Sequence, residues 1–314
     1  MKLGILFSGQ GAQKAGMGLD FLADPLFKET IETASEASQQ DIVALFKDEH
    51  DELNKTIHVQ PALIAFEAGV FCMLKRDLPA LPIAGMVGLS LGECGAMFAS
   101  DALPLADTIS LVSDRARYMQ ADADKVDNGM AALVKPDLDK VNEIIATLKK
   151  QNKQVYLSNY NSPSQVVIGG VKQDVDDAAE AISEAKAAKR VVNLRVNGAF
   201  HTPLFNGARQ KMHDRLQEVN FKQTTYPVIS NTTVKPFTTD WAEIMEKQLA
   251  VPTHFGDDLA YLVENQGIDS TLEIGPGKTL SSFARQVDRK LKRYNIENFD
   301  QYQEFVEAEN EAEK

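Results

Sequence analysis

Residues 84–99 read AGMVGLSLGECGAMFA and contain the pentapeptide Gly88-Leu89-Ser90-Leu91-Gly92. The apolar run Ala84–Leu89 predicts a buried strand, and a helix is predicted directly after it, from about Leu91 to Ala99. A serine between glycines at such a junction is typical of a nucleophile elbow, because glycine removes Cβ atoms that would clash in the tight turn. We therefore interpret Ser90 as a nucleophile; a glycine-flanked helix N-cap is the structural alternative.

Short strands and amphipathic helices alternate on both sides of this junction, which favours an α/β fold. Before the junction, the pattern predicts a strand at Gly4–Phe7 and helices over 26–40 and 58–76. After it, a helix is predicted over 104–121. Further along, we expect a helix over 203–217, a strand at Pro227–Ile229, helices over 240–250 and 254–266, and a strand at Thr271–Ile274.

The middle of the chain has a different texture. Its elements follow the order β-α-β-β-α-β of a ferredoxin-like module; they are predicted at Met130–Val134, 137–150, Val155–Asn159, Val166–Ile168, 172–188 and Arg190–Val196. We expect this module to be an insertion over 126–196 within a larger domain formed by 1–125 and 197–296. Residues 297–314 carry seven acidic side chains and one lysine, and are expected to be a solvated, frayed tail.

Composition limits the possible functions. The chain has 314 residues, 44% of them hydrophobic, and a net charge of −12 that argues against nucleic acid as a partner. No apolar run approaches the roughly 18 residues that span a bilayer, and Leu3–Phe7 leads into a glycine-rich loop rather than a signal cleavage site. Two cysteines are too few for a disulfide framework and favour a reducing compartment. No cluster of cysteines and histidines has zinc-site spacing, so we expect no metal. We therefore expect a cytoplasmic protein that binds no membrane.

A serine hydroxyl needs a general base, and the chain offers five histidines. His50 and His213 lie in charged, surface-like stretches, whereas His58 and His254 each open an apolar helix. His201 follows the inserted module in Ala199-Phe200-His201-Thr202, at a domain junction where catalytic groups concentrate. Position therefore favours His201, and no aspartate or glutamate stands out as its partner.

Several motifs together resemble those of the malonyl-CoA:acyl carrier protein transacylase family. They are Gly9-Gln10-Gly11-Ala12-Gln13, the pentapeptide with Glu93 after it, Ala199-Phe200-His201, Arg115 placed 25 residues after the serine, Asn159-Tyr160-Asn161-Ser162-Pro163, and Glu273-Ile274-Gly275-Pro276-Gly277. The resemblance covers about residues 1–290. It departs at Leu89, where many members have histidine, and at Cys94, where tyrosine is common.

The resemblance implies an α/β-hydrolase-like large domain with a ferredoxin-like insertion. It also implies a role for each matching residue. Ser90 would attack the thioester, His201 would accept its proton, and the backbone carbonyl of Gln248 would orient His201. The backbone N–H groups of Gln10 and Leu91 would bind the oxyanion; Arg115 would hold the malonyl carboxylate, and Phe200 would favour malonyl over methylmalonyl groups.

The implied activity is a ping-pong transfer from malonyl-CoA to the phosphopantetheine thiol of acyl carrier protein, for fatty acid synthesis and with no cofactor. Three alternatives stay open at this point: a serine thioesterase or other hydrolase, an acyltransferase of a polyketide assembly line, and a non-catalytic docking scaffold for carrier protein. The intact Ser90, His201 and Arg115 argue against the scaffold.

Overall fold

A computed structural model describes residues 1–194, 196 and 198–312. These residues form two four-stranded sheets, with strand orders β2-β1-β7-β8 and β4-β5-β3-β6. The strands, numbered in chain order, are β1 (Leu3–Phe7), β2 (Ile83–Gly88), β3 (Asn128–Pro136), β4 (Val155–Ser162), β5 (Gln165–Val171), β6 (Ala188–Asn193), β7 (Ser270–Ile274) and β8 (Lys292–Ile296).

The helices cover the first sheet and one face of the second. Helix α1 shows how their ends are defined, since Pro25 stands at its first position and the Asp24 carboxylate accepts from the N–H of Leu26. The helices are α1 (Pro25–Ser38), α2 (Ile42–Lys47), α3 (Thr56–Asp77), α4 (Gly92–Ala99), α5 (Leu105–Ala123), α6 (Leu138–Lys150), α7 (Lys172–Glu184), α8 (Asn206–Leu216), α9 (Trp241–Gln248), α10 (Phe255–Tyr261), α11 (Thr279–Val287) and α12 (Phe299–Ala312).

The first sheet is parallel throughout, and its central strand β1 is completely buried. Phe7 lies opposite Gly88, so β1 and β2 end side by side. Loops that follow the carboxyl ends of parallel strands meet at one edge of the sheet. The Ser8–Gln10 loop and the serine turn are therefore neighbours, although about eighty residues separate them in the sequence.

Helix α3 passes through the core of this sheet's helical layer. By length and composition it could cross a membrane, with a mean hydropathy of 1.6 over its apolar stretch, and it is the one such helix among the described residues. However, 83% of that stretch is buried inside the protein. Core helices of globular proteins meet the same criterion, and the burial of Gln60 and Glu67 among its apolar residues suits a protein interior.

The second sheet is antiparallel and carries α6 and α7. Its chain order β3-α6-β4-β5-α7-β6 and its spatial order match the ferredoxin-like arrangement expected from the sequence. It has a small core of its own, separate from that of the first sheet. The overall class, α/β with a parallel sheet and an inserted antiparallel one, is thus confirmed.

Backbone hydrogen bonds join the small sheet to the segment after α9. Tyr160 donates its N–H to the Thr253 carbonyl (2.7 Å), and Thr253 donates to the Ser158 carbonyl (3.0 Å). The Asn159 amide also donates to the Thr253 hydroxyl (2.7 Å). Strand β4 of the small sheet is therefore hydrogen-bonded to Thr253, shortly after the end of α9.

The acidic C-terminal segment is not a frayed tail. Residues 299–312 form α12, whose Tyr302 and Phe305 are buried and whose acidic side chains face outward. Amphipathic spacing was present in the sequence, but the high charge obscured it. The two last residues, and Arg195 and Asn197 at the expected boundary of the insertion, lie outside the described residues.

Two smaller expectations also need correction. Pro227–Ile229 is not a continuous strand, since Val228 and Ile229 form only isolated bridges to Met86 and Pro236. The helix expected over 254–266 is α10 followed by a π-helical turn at Leu262–Gln266, and it ends at Gly267, which has a φ of 68°. This left-handed conformation favours glycine, which explains why the helix ends at Gly267.

Candidate active site

The turn that contains Ser90 connects β2, which ends at Gly88, to α4, which begins at Gly92. Ser90 has a φ of 55°, a left-handed conformation that is strained for a residue with a side chain. A Cβ on Gly88 would lie 1.9 Å from the Gly92 carbonyl carbon, and one on Gly92 would lie 2.2 Å from the Phe7 oxygen. Only glycine fits at either position, so the pentapeptide does form the elbow that its spacing predicts.

The imidazole of His201 lies in a turn that follows the small sheet, with a φ of 61° and 3% of its surface exposed. Its Nδ1 is 2.6 Å from the backbone carbonyl of Gln248. A carbonyl can only accept, so Nδ1 carries the hydrogen and Nε2 is left as a base. Burial lowers the pKa of His201 to about 4; the Gln248 carbonyl opposes this shift and the charge of Arg115 adds to it.

The guanidinium of Arg115 reaches the serine from α5 and is 2% exposed. Its Nη2 donates to the Ser90 hydroxyl (3.1 Å) and to Oε1 of Gln248 (3.1 Å). Its Nη1 donates to Oε1 of Gln60 (2.8 Å). Burial lowers the pKa of Arg115, although arginine starts high enough to stay charged. A cation is therefore fixed beside the Ser90 hydroxyl.

Two backbone N–H groups flank the serine from different loops. Gln10 lies in the turn after β1, and Leu91 directly precedes α4. Within the described part of the chain, neither N–H donates to another protein group. A Cβ on Gly9 would lie 2.6 Å from the Leu89 carbonyl oxygen, so this glycine permits the close approach of the two loops. Such a pair of donors can stabilise an oxyanion.

These groups surround a cavity of ≈130 Å³ between the two sheets. Its polar lining includes Ser90, His201 and Arg115, and Gln10 and Leu91 also contribute. The remaining wall is largely apolar; it includes Leu89, Met119, Met130, Val167, Leu194, Val196 and Phe200. Phe200 packs against Phe205, with ring centroids 5.2 Å apart. The structure thus brings all the residues named from the sequence to one place, with Gln248 directly behind the cavity wall.

Sequence reasoning missed a buried polar layer beneath the serine. Asn231 accepts from the Ser90 N–H (2.7 Å) and donates to the Gly88 carbonyl (2.8 Å) and to Asp258 (2.7 Å). Glu93 accepts from the N–H of Asn231 (2.7 Å). Burial raises the pKa of Glu93 to about 8, and hydrogen bonds from Asn231 and the charge of Arg115 oppose the shift.

Local sequence contained only a faint signal for these residues. Gln60 is a polar residue within the apolar run HVQPALIAF, and Asn231 follows the short extended segment Val228–Ser230. Both are completely buried. A buried amide must find partners, so an isolated polar residue inside an apolar helix is the kind of pattern that indicates such a network.

The chain is similar to known acyltransferases over nearly its whole length. Residues 5–297 match the family model described as acyl transferase domain. The malonyl CoA-acyl carrier protein transacylase of Staphylococcus aureus (strain MSSA476) is 32% identical over 303 residues, which cover 95% of this chain and 96% of that protein. The chain belongs to the malonyl CoA-acyl carrier protein transacylase family.

Other members of the transacylase family agree in sequence and in structure. The Bacillus subtilis (strain 168) protein of the same name is 32% identical over 93% of this chain and 92% of its own length. The solved Streptococcus pneumoniae MCAT is 35% identical with a TM-score of 0.91, covering 98% of this chain and 100% of that one. A transacylase solved with a type II polyketide acyl carrier protein is 28% identical, with a TM-score of 0.92 and coverage of 98% and 100%.

Proposed function

We propose that this protein transfers the malonyl group from malonyl-CoA to the phosphopantetheine thiol of acyl carrier protein, and so supplies fatty acid synthesis. The observation that carries the proposal is the convergence of Ser90, His201 and Arg115 on one small cavity. Membership of the transacylase family supports the same activity. The reaction is a ping-pong cycle through a malonyl ester of Ser90.

In the first half of the cycle, the Ser90 hydroxyl attacks the thioester carbonyl while Nε2 of His201 takes its proton. The tetrahedral oxyanion accepts from the N–H groups of Gln10 and Leu91, an effect worth roughly 3 kcal/mol per donor. His201 then returns the proton to the departing CoA thiolate. The hydrogen bond from Nδ1 to the Gln248 carbonyl (2.6 Å) keeps Nε2 directed at the serine through these steps.

In the second half, the carrier thiol gives its proton to His201 and attacks the serine ester. The same two N–H groups stabilise the second tetrahedral intermediate, and His201 protonates the Ser90 oxygen as it leaves. Each half-reaction begins and ends with a neutral imidazole. No step requires a metal or a redox group, and we propose that the enzyme uses no cofactor of its own.

Acyl selectivity is assigned to Arg115 and Phe200. The guanidinium of Arg115 can hold the free carboxylate of malonate with two hydrogen bonds, which a neutral acyl group cannot accept. Phe200 lines the same cavity, and we propose that its ring disfavours an acyl group with a methyl branch. We also propose that 1–125 with 197–296 forms the catalytic domain, that 126–196 forms the insertion, and that the protein is cytoplasmic.

The direct test is mass spectrometry of the protein after mixing with malonyl-CoA alone. We expect a malonyl adduct on the Ser90 peptide, lost on adding acyl carrier protein and absent in Ser90→Ala. Transfer to water at the same rate as to carrier protein would instead indicate a hydrolase. Equal labelling by acetyl-CoA would contradict the role of Arg115.

A further inference from the structure

The charge of Arg115 is held by neutral oxygens. Its recorded acceptors are the hydroxyl of Ser90 and the amide oxygens of Gln60 and Gln248, and among the described residues no carboxylate forms an ion pair with it. Buried cations in proteins are normally paired with an anion, because an uncompensated charge is costly to remove from water. The absence of a direct carboxylate therefore needs a reason.

The amide of Gln248 can face Arg115 in only one way. Its Nε2 donates to Oε2 of Glu93 (2.6 Å) and to the Ser90 carbonyl (3.1 Å), both of which are acceptors. Its Oε1 is consequently the atom that meets Arg115. Glu93 is itself fixed, since its other oxygen accepts from the N–H of Asn231. Glu93 thus determines the orientation of this amide.

The amide of Gln60 is oriented from the opposite side. Its Nε2 lies 3.4 Å from Oε1 of Gln10 and 3.6 Å from the sulfur of Met119, so its oxygen also points at Arg115. Gln60 is completely buried in α3. The guanidinium therefore lies between two amide oxygens. The orientation of each amide is fixed by the acceptors of its Nε2 atom.

We propose that Gln60 and Gln248, with Glu93 behind the latter, are positioning residues for acyl selectivity. The two amide oxygens fix the guanidinium without neutralising it, which leaves its charge for the carboxylate of the substrate. A carboxylate at either glutamine would pair with Arg115 directly and compete with the malonyl group. This inference depends on the malonyl transfer proposed above.

The first test places a carboxylate of the same shape beside Arg115. Gln60→Glu should lower kcat/KM for acylation of Ser90 by malonyl-CoA by about tenfold or more. The slow reaction with acetyl-CoA should change much less, so the malonyl-to-acetyl ratio should fall by a similar factor. The isosteric Gln60→Met adds no charge and is the matched control; it should lower the ratio less than Gln60→Glu.

The second test reaches Arg115 through Glu93. Glu93→Gln replaces one carboxyl oxygen by an amide nitrogen that cannot accept, so either the Asn231 N–H or the Gln248 amide loses its acceptor, and a Gln248 amide without its acceptor can reverse and point Nε2 at Arg115. We expect the malonyl-to-acetyl ratio to fall severalfold, with thermal unfolding confirming a folded protein. An unchanged ratio, or equal losses for both substrates in both variants, would overturn the inference. Failure of the wild-type protein to form a malonyl ester would instead overturn the proposed function.

Discussion

At the scale of single residues, the most informative group is the imidazole of His201. Its burial stabilises the neutral form, so the base is ready to accept a proton well below the usual pH range of histidine. The neighbouring Arg115 acts in the same direction. His201 Nδ1 meets a backbone carbonyl where a conventional triad has a carboxylate, so no further anion is placed beside the Arg115 guanidinium.

This environment predicts an unusual pH profile. With a pKa of about 4, His201 remains unprotonated at pH 5.5, and single-turnover acylation by malonyl-CoA should be nearly constant from pH 7 to pH 5. A histidine with an ordinary pKa near 6.5 would lose roughly tenfold over the last unit of this range. The measurement is rapid-quench acylation at each pH. A midpoint near 6.5 would contradict the argument.

At the scale of elements, the elbow depends on packing between backbone segments. The close approach of β2, α4 and the end of β1 fixes the Ser90 hydroxyl, and the two glycines are required by contact distances rather than by flexibility. The strain at Ser90 is offset by the Asn231 side chain, which accepts the Ser90 N–H. The junction between β2 and α4 therefore carries and orients Ser90.

The C-terminal helix α12 offers an element-scale prediction. Tyr302 is 3% exposed, stacks near Phe299 and donates its hydroxyl to Asp77 (2.5 Å). Tyr302→Ala should lower the free energy of unfolding by about 3–5 kcal/mol, because it leaves a cavity between the helix and the core. Tyr302→Phe removes only a hydrogen bond and should cost about 1 kcal/mol.

Urea unfolding would measure both changes. The exposed Glu311 on the same helix provides a control, since Glu311→Ala removes no buried contact. We expect that control to lie within roughly 0.5 kcal/mol of the wild type. Equal stability of Tyr302→Ala and Glu311→Ala would mean that α12 contributes nothing to the fold.

At the scale of the whole molecule, stability should depend on buried carboxyl groups. Burial raises the pKa of Glu67 and of Asp258 well above their ordinary values. The native protein therefore keeps protons that the unfolded chain releases above about pH 4.5. Each such group lowers stability by roughly 1.4 kcal/mol per pH unit as the pH rises towards its native pKa. The buried His201 acts oppositely, between about pH 4 and 6.5.

The protein should consequently lose stability as the pH rises above about 4.5; His201 offsets part of this loss up to about pH 6.5, and the loss should become steeper above that pH. Glu67→Gln removes one titrating group from the core while keeping its shape, so the alkaline loss should become shallower. Thermal unfolding at several pH values would measure both slopes. Identical slopes for the two proteins would show that Glu67 is already ionised in the native state.

The candidate active site also requires the whole molecule, because both sheets contribute to it. The cavity walls come from both sheets, with Leu89 and Ser90 on one side and Met130 and Val167 on the other. The bonds between β4 and Thr253 attach the small sheet close to the end of α9, which carries Gln248. Neither sheet alone encloses the cavity.

The sequence by itself determined the fold class, the elbow, and which serine and which histidine meet in the cavity. Each of these is encoded locally, by a short apolar run, by glycines beside the serine, or by a short motif. The sequence did not determine that residues 299–312 form a packed helix. The few buried aromatic residues of this charged segment pack against a surface made by distant parts of the chain. The side-chain hydrogen bonds of Gln60, Glu93, Asn231 and Gln248 were likewise decided only by the tertiary structure. Hydrogen-bond partners that lie up to about 155 residues apart are chosen by packing, and no local pattern specifies them.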